Sequence, residues 1–188
     1  MLDVASGEQV ASIRDRMTPG EFAAYICDVG QWYNWATVAI ESTGIGLSTI
    51  EQVISLGYRV ERLYCMKRNP NEFGRPPLLQ EIGWSTSSST KPLLISRIQE
   101  ALRHFNVHIR DSIIVQELMT YVHLGANKTG ARPGCHDDGV IALALAIVAL
   151  ESALMVEAAT ATRRHTQELR VPDATRYKLV WPMRRRRR

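Results

Sequence analysis

The spacing of apolar and polar positions changes period several times along this 188-residue chain. Met1–Val4 and Gln9–Arg14 read as short strands around the turn Ala5-Ser6-Gly7-Glu8. Thr18-Pro19-Gly20-Glu21 carries a helix start: a threonine cap, a proline at the first position and a glutamate three after the cap. Phe22, Tyr25, Ile26 and Val29 then recur at helical spacing, which predicts a helix to about Tyr33. Thr37–Ile40 is short, β-branched and apolar, the pattern of a buried strand. Gly44-Ile45-Gly46 permits a tight turn into a helix over Leu47–Leu56 that Gly57 stops. Val60–Cys65 reads as another strand, and Lys67–Pro77, rich in Pro, Asn and Gly, as a loop. Further on, Thr90 is placed to cap a helix over Leu93–Phe105 with Pro92 in its first turn. Val107–Arg110 reads as a short strand, Ser112–Met119 as one or two helical turns, and Gly125–Gly134 as a turn-rich loop. A strongly apolar helix starts at Asp137 and continues towards Thr162. Strands alternating with helices predict an α/β layer with helices on the sheet.

The densest chemistry lies at the start of that last helix, in Gly134-Cys135-His136-Asp137-Asp138-Gly139. Two readings of the paired aspartates stand side by side. Acidic groups in a first turn complement the helix dipole and cap free N–H groups. Alternatively, a carboxylate where an apolar helix enters a core needs a partner, and a divalent cation is a natural one. Glu41 ends the Thr37–Ile40 strand, and the C-terminal ends of strands are where open α/β sheets place ligands. A solvated strand-end charge is the plainer alternative for Glu41. Three converging carboxylates would repel one another unless neutralised, which implies one or two Mg²⁺ or Mn²⁺ ions and phosphodiester hydrolysis.

Charge is unevenly distributed. The chain carries +4 overall, but residues 163–188 hold ten basic residues against Glu168 and Asp173. Residues 1–162 hold thirteen basic and seventeen acidic residues, a balance of −4. The expected organisation is therefore an acidic domain over 1–162 and a basic extension over 163–188. An acidic body argues against tight, non-specific nucleic-acid binding by its whole surface. Cys27, Cys65 and Cys135 lack metal-ligand spacing, and their odd number fits a reducing compartment. The start of the chain has no apolar targeting stretch, and Val140–Leu150 is short for a bilayer span, so a soluble protein with no membrane partner is expected. Trp32, Tyr33 and Trp35 form a helix-end aromatic cluster suited to core packing.

Ala39-Ile40-Glu41-Ser42-Thr43-Gly44, then Leu56-Gly57-Tyr58 and Leu63-Tyr64, resemble the glutamate strand in the nuclease domain of tailed-phage terminase large subunits. Gly83-Trp84-Ser85-Thr86 with Thr90-Lys91-Pro92, Glu117-Leu118 and the Gly134–Asp138 motif with its alanine-rich helix resemble that family too, in order over most of 1–150. The resemblance implies an RNase H-like mixed sheet flanked by helices. It also implies a two-ion Mg²⁺ or Mn²⁺ endonuclease that cuts concatemeric viral DNA during genome packaging in the host bacterial cytoplasm. Glu41, Asp137 and Asp138 are then the metal ligands and catalytic residues, with His136 bracing the turn and Lys91 solvated or touching a phosphate. The implied partners are double-stranded DNA, a terminase small subunit, the portal and an ATPase motor domain. The chain contains no GxxxxGK[ST] loop, so it cannot itself be that motor.

Two departures qualify the match. The family carries a further aspartate on a first, central strand, whereas Met1–Glu8 resembles the second strand and its turn. Asp3 is the residue that would have to stand in. The expectation is a nuclease domain lacking its first central strand, inactive or weakly active unless another chain supplies one. Ser42-Thr43 also follow Glu41 where the family often has asparagine. The competing readings are another RNase H-like nuclease, such as a junction resolvase, and an inactive or split-gene fragment. Such a fragment would bind DNA or packaging partners through Arg184–Arg188.

Overall fold

A computed structural model of the protein describes residues 1–66, 76–104, 106–125 and 128–168. The expected Lys67–Pro77 loop, the end of the expected helix at Phe105 and the arginine run therefore lie wholly or partly outside the described residues. The chain divides into two units, Met1–Leu154 and Met155–Arg188. The described α-helices and strands, in order, are α1 (Pro19–Trp32), α2 (Ile45–Ser55), α3 (Lys91–Arg103), α4 (Ser112–Thr120), β1 (Tyr121–Gly125), β2 (Lys128–Ala131) and α5 (Asp138–Glu168), with 3₁₀ turns at Val60–Arg62 and Leu79–Glu81. The fold is of mixed α/β class, with five α-helices and a two-stranded antiparallel sheet among the described residues.

Two expected strands, Thr37–Ile40 and Val60–Cys65, meet the Ile82–Trp84 segment, where no strand was expected, in a middle layer of interrupted ladders rather than full strands. Val38 N–H donates to Arg62 O, and Tyr64 N–H donates to Val38 O, both at 2.8 Å. The partner then changes: Trp84 N–H donates to Ile40 O and Ser42 N–H to Trp84 O, again at 2.8 Å. The Thr37–Ile40 segment thus runs parallel first to Leu63 and then to Trp84, one bridge each. Val60–Arg62 tightens into a 3₁₀ turn, which corrects the strand expected over Val60–Cys65. Gly83, at φ +88°, bends its segment where only glycine is comfortable. The same shortening holds in the N-terminal hairpin, where Leu2 bridges Gln9 and Glu8 bridges His108, instead of strands over Met1–Val4, Gln9–Arg14 and Val107–Arg110.

Side chains still alternate across this layer as a strand requires. Ile40 and Leu63 are buried, with Val38 and Cys65 beside them, in a core with Ala23 and Cys27 of α1 and Ile50 and Val53 of α2. Ala39, Tyr64 and Met66 face the other way and pack on a second core. That core joins Trp84 to Leu94 and Ile98 of α3, Ile114 of α4, and Val140, Leu143, Ala144 and Ile147 of α5. The architecture of the first unit is thus two helical layers separated by an irregular extended one.

Local chemistry explains the element ends. Thr18 and Glu21 form the expected reciprocal cap at the start of α1. Beyond α1, Asn34 and Trp35 both take positive φ, a costly conformation for non-glycine residues. Tyr58 holds that turn: its hydroxyl donates to Ala36 O at 2.6 Å, and its ring lies 5.4 Å from Trp35. Burial pushes the Tyr58 phenol up to about 12. Thr90 does not cap α3; its hydroxyl donates to Ser85 O and accepts from Ser87 N–H, folding the serine-rich lead back on itself. The expected turn or two at Ser112 is a nine-residue helix, capped by Asp111 through Ile113 and Ile114 N–H. Within Gly125–Gly134 the structure has β2 where a loop was expected, paired with β1 in the register Tyr121↔Ala131, Val122↔Gly130 and His123↔Thr129. The last helix runs to Glu168, past the expected end, and its stretch Asp138–Val156 is long and apolar enough to cross a membrane. In the first unit this helix supplies buried core residues from Val140 to Ala149.

Candidate active site

Glu41 leaves the middle layer two positions after Ala39. By strand alternation it shares the face of Ala39, the face that packs against the core containing α5. Its half-buried carboxylate accepts from Thr43 Oγ1 at 3.0 Å. Close approach shapes this turn: a Cβ on Gly46 would overlap the Glu41 carbonyl oxygen, so glycine is needed where α2 begins.

Asp137 sits just before α5. Its Oδ2 is 3.2 Å from Lys91 Nζ at the start of α3, and both side chains are 30% exposed. The Lys91 ammonium also lies 5.9 Å from the Tyr121 ring centroid, at the reach of a weak cation–π contact. The β1–β2 hairpin passes beside this pair, since a Cβ on Gly130 would sit 3.6 Å from Asp137 Oδ2. Asp138 is exposed and belongs to a different neighbourhood. Glu117, by its hydrogen bond, holds the Arg14 guanidinium above its usual range; burial opposes this, and the charges on Glu117, Asp138 and Asp111 add to it.

The helix start is capped by a residue the sequence reading did not single out for that role. Glu117 is 6% exposed, and its Oε2 accepts from Gly139 N–H at 2.6 Å and Val140 N–H at 3.3 Å. Its other oxygen pairs with Arg14. Among the described residues neither Asp137 nor Asp138 makes a side-chain hydrogen bond to these helix amides. The capping explanation for the aspartate pair is therefore displaced by Glu117, which leaves both carboxylates available for other partners.

Two further polar atoms draw attention to the segment between Glu41 and Lys91. Among the described residues Trp84 Nε1 and Thr86 Oγ1 are buried with no hydrogen-bond partner. Buried orphans of this kind call for a bound group or water. Trp84 runs beside Glu41 and stacks on Tyr64 at 6.2 Å, and its segment leads through the Ser87–Thr90 turn to Lys91. The structure thus brings Asp137 to Lys91, and pairs Glu41 with Trp84 in the segment that precedes Lys91.

The donor chemistry of Glu41, Asp137 and Asp138 suits a hard divalent cation. Among the described residues no group of three or more His, Cys, Asp or Glu lies close enough together to hold a metal ion. The three acids each have a separate neighbour: Thr43, Lys91 and the field of Arg14. The residues that sequence reasoning missed here are Tyr121 and the exposed His123 and Lys128 on the hairpin. Their signal was present in Tyr121-Val-His-Leu-Gly125 and Lys128-Thr-Gly-Ala131, two short runs on either side of a turn. No model of a known protein family matches this chain, and no curated protein matches it.

Proposed function

We propose that this chain is a metal-dependent DNA endonuclease domain of the RNase H-like kind, resembling the nuclease domain of phage terminase large subunits. The observation that carries the reading is positional. Glu41 ends a buried, parallel-paired segment on the face that packs on the α5 core, and Asp137, just before α5, and Asp138, its first residue, are free of capping duty. In this reading Glu41, Asp137 and Asp138, which have separate neighbours in this structure, would have to close together to hold Mg²⁺ or Mn²⁺, which when bound supplies an activated water and stabilises the leaving oxygen. Lys91, which pairs with Asp137 in this structure, would turn to a backbone phosphate. The substrate is double-stranded concatemeric DNA in the host cytoplasm, and the partners are a small terminase subunit, a portal and a separate ATPase motor.

A second reading, a catalytically silent relative that binds DNA or packaging proteins, is favoured by the incomplete ladder beside Ala39. Isothermal titration with Mn²⁺, alongside plasmid nicking, separates the two. The nuclease reading expects a binding heat that disappears in both Glu41→Ala and Asp137→Ala. A heat that persists unchanged in both variants, or none in the parent protein, would sink it.

A further inference from the structure

The aromatic cluster that closes α1 is a surface feature, which corrects the core role expected for it. Trp32 is 85% exposed and Tyr33 41%, while Trp35 alone of the three packs on the core that α1 shares with α2. Helix geometry accounts for the difference. Ala23, Cys27 and Gly30 are the buried positions of α1, at steps of four and three, and Trp32 follows two residues past Gly30, on the opposite side of the helix. Beyond it the backbone is strained: Asn34 and Trp35 hold φ of +56° and +60°, where non-glycine residues are uncommon. Such strain persists where neighbours over-determine it, and functional surfaces are a common place for it.

Tyr58 is the neighbour that holds the turn. Its hydroxyl donates to Ala36 O, and its ring lies on Gly30, where a Cβ would overlap the phenol oxygen. The Trp35 ring is thereby set 5.4 Å from Tyr58 and beneath Arg59, whose guanidinium carbon is 4.3 Å from the Trp35 ring centroid. Arg62 N–H donates to Arg59 O at 2.9 Å, closing a 3₁₀ turn, and side chains three apart in such a turn eclipse. Both arginines therefore rise on one side, and the Arg62 charge reaches the Tyr58 phenol. Both are exposed, and among the described residues neither guanidinium has a carboxylate partner.

We propose that this surface binds single-stranded nucleic acid, with an unpaired base stacked on Trp32 and the neighbouring phosphates on Arg59 and Arg62. A bare indole and two unpaired cations match the two repeating parts of such a strand, the flat base and the phosphate. Inside a duplex the base faces already cover one another, so Trp32 has nothing there to stack on. An acidic peptide would meet the arginines and leave Trp32 bare; a proline-rich one would meet Trp32 and leave the arginines unpaired. Two acids lie close in sequence, Asp28 one helical turn before Trp32 and Glu61 between the arginines, so both guanidinium groups are needed to outweigh them. The surface adjoins the first residue of Ala36–Glu41, and Glu41 ends that segment roughly 15 Å further along. The inference therefore does not rest on the nuclease reading, since it involves neither Glu41 nor the paired aspartates.

The test titrates the full chain with an oligothymidylate of about eight nucleotides and with an abasic strand of equal charge, read by the tryptophan indole N–H signals in NMR. Arg184–Arg188 attracts both strands through phosphates alone, so the difference between them reads base stacking. The oligothymidylate is expected to bind at least about fivefold more tightly and to shift the Trp32 signal. Trp32→Leu, at an exposed position that leaves the core untouched, should abolish that preference. Arg59→Gln with Arg62→Gln should weaken both strands and flatten the salt dependence, and Asp28→Asn should strengthen both. The comparison of strands on the parent chain needs no variant, so it decides the matter even where a variant fails to fold. Equal affinity for the two strands, a preference that survives Trp32→Leu, or an equal Trp32 shift from an end-capped duplex would overturn the proposal. So would a Trp32 shift given by a proline-rich peptide and by no oligonucleotide, or a dimer of the parent that Trp32→Leu dissolves.

Discussion

Glu117 and Asp137 stand on either side of the first turn of α5, and their circumstances are opposite. Glu117 is buried, accepts from two helix amides and pairs with Arg14. Asp137 is 30% exposed and, among the described residues, held by Lys91 alone. Burial with full hydrogen bonding makes a carboxylate a structural part whose removal strands its partners. Partial exposure with one mobile lysine leaves a carboxylate able to exchange that partner for a ligand. Of the acids around one helix end, the buried one therefore holds the fold and the half-exposed one can change its partner at little cost.

The sharpest way to break this contrast is to remove each acid in turn. Glu117→Ala leaves Gly139 and Val140 N–H unsatisfied, deprives Arg14 of its partner and opens a small void. The expected loss is about 3 kcal/mol of unfolding free energy in urea denaturation, with Glu117→Gln in between because it keeps one acceptor. Asp137→Ala removes a half-exposed ion pair and should cost less than about 1 kcal/mol. Equal losses from the two alanine variants would show that the division of labour is wrong.

Asp111 offers a milder test, at the other end of α4. Its carboxylate is held below its ordinary value of 3.8, first by the Ser12 hydroxyl, with burial opposing and the Ile113 and Ile114 amides adding. Because the folded pKa is the lower one, the stabilisation is present above pH 3.8 and is lost as pH falls through the folded value. Asp111→Asn keeps an acceptor for the cap but has no proton to gain. Its unfolding free energy should therefore fall less steeply than that of the parent below pH 3.8, and Asp111→Ala should cost about 1 kcal/mol near neutrality. Identical acid limbs for parent and Asp111→Asn would remove Asp111 from the acid sensitivity.

Helices were the legible part of this fold because their signals are local. The Thr18–Glu21 box and the apolar period after it are contained in one short stretch, and the structure has α1 there. Strand lengths were not legible, since they depend on neighbours far away. Thr37–Ile40 has the right composition, yet its ladder changes partner midway from Arg62–Tyr64 to Trp84. The β1–β2 hairpin was hidden for a different reason: glycines at 125, 130 and 134 make the whole stretch look like a loop. At the site, sequence drew attention to Asp137 and Asp138 by their place at a helix start, a place that suits caps and ligands alike. Only the contact between Glu117 and the α5 amides separates those roles, and it joins positions 22 apart.

The smallest stability effect carries the finest discrimination. Lys91→Met keeps the aliphatic stem against Tyr121 and removes the ammonium from Asp137, so unfolding free energy should change by no more than about 0.5 kcal/mol. Its consequences for ligands point in opposite directions under the nuclease reading. Asp137 no longer has a competing cation, so Mn²⁺ affinity should rise by about threefold or more. Lys91 no longer reaches a phosphate, so affinity for double-stranded DNA should fall and lose part of its salt dependence. Titration of both ligands in the same variant reads the two effects independently. If Asp137 is only a salt-bridge partner, Mn²⁺ affinity stays where it was while stability drifts down slightly, and the comparison with Glu117 loses its functional half.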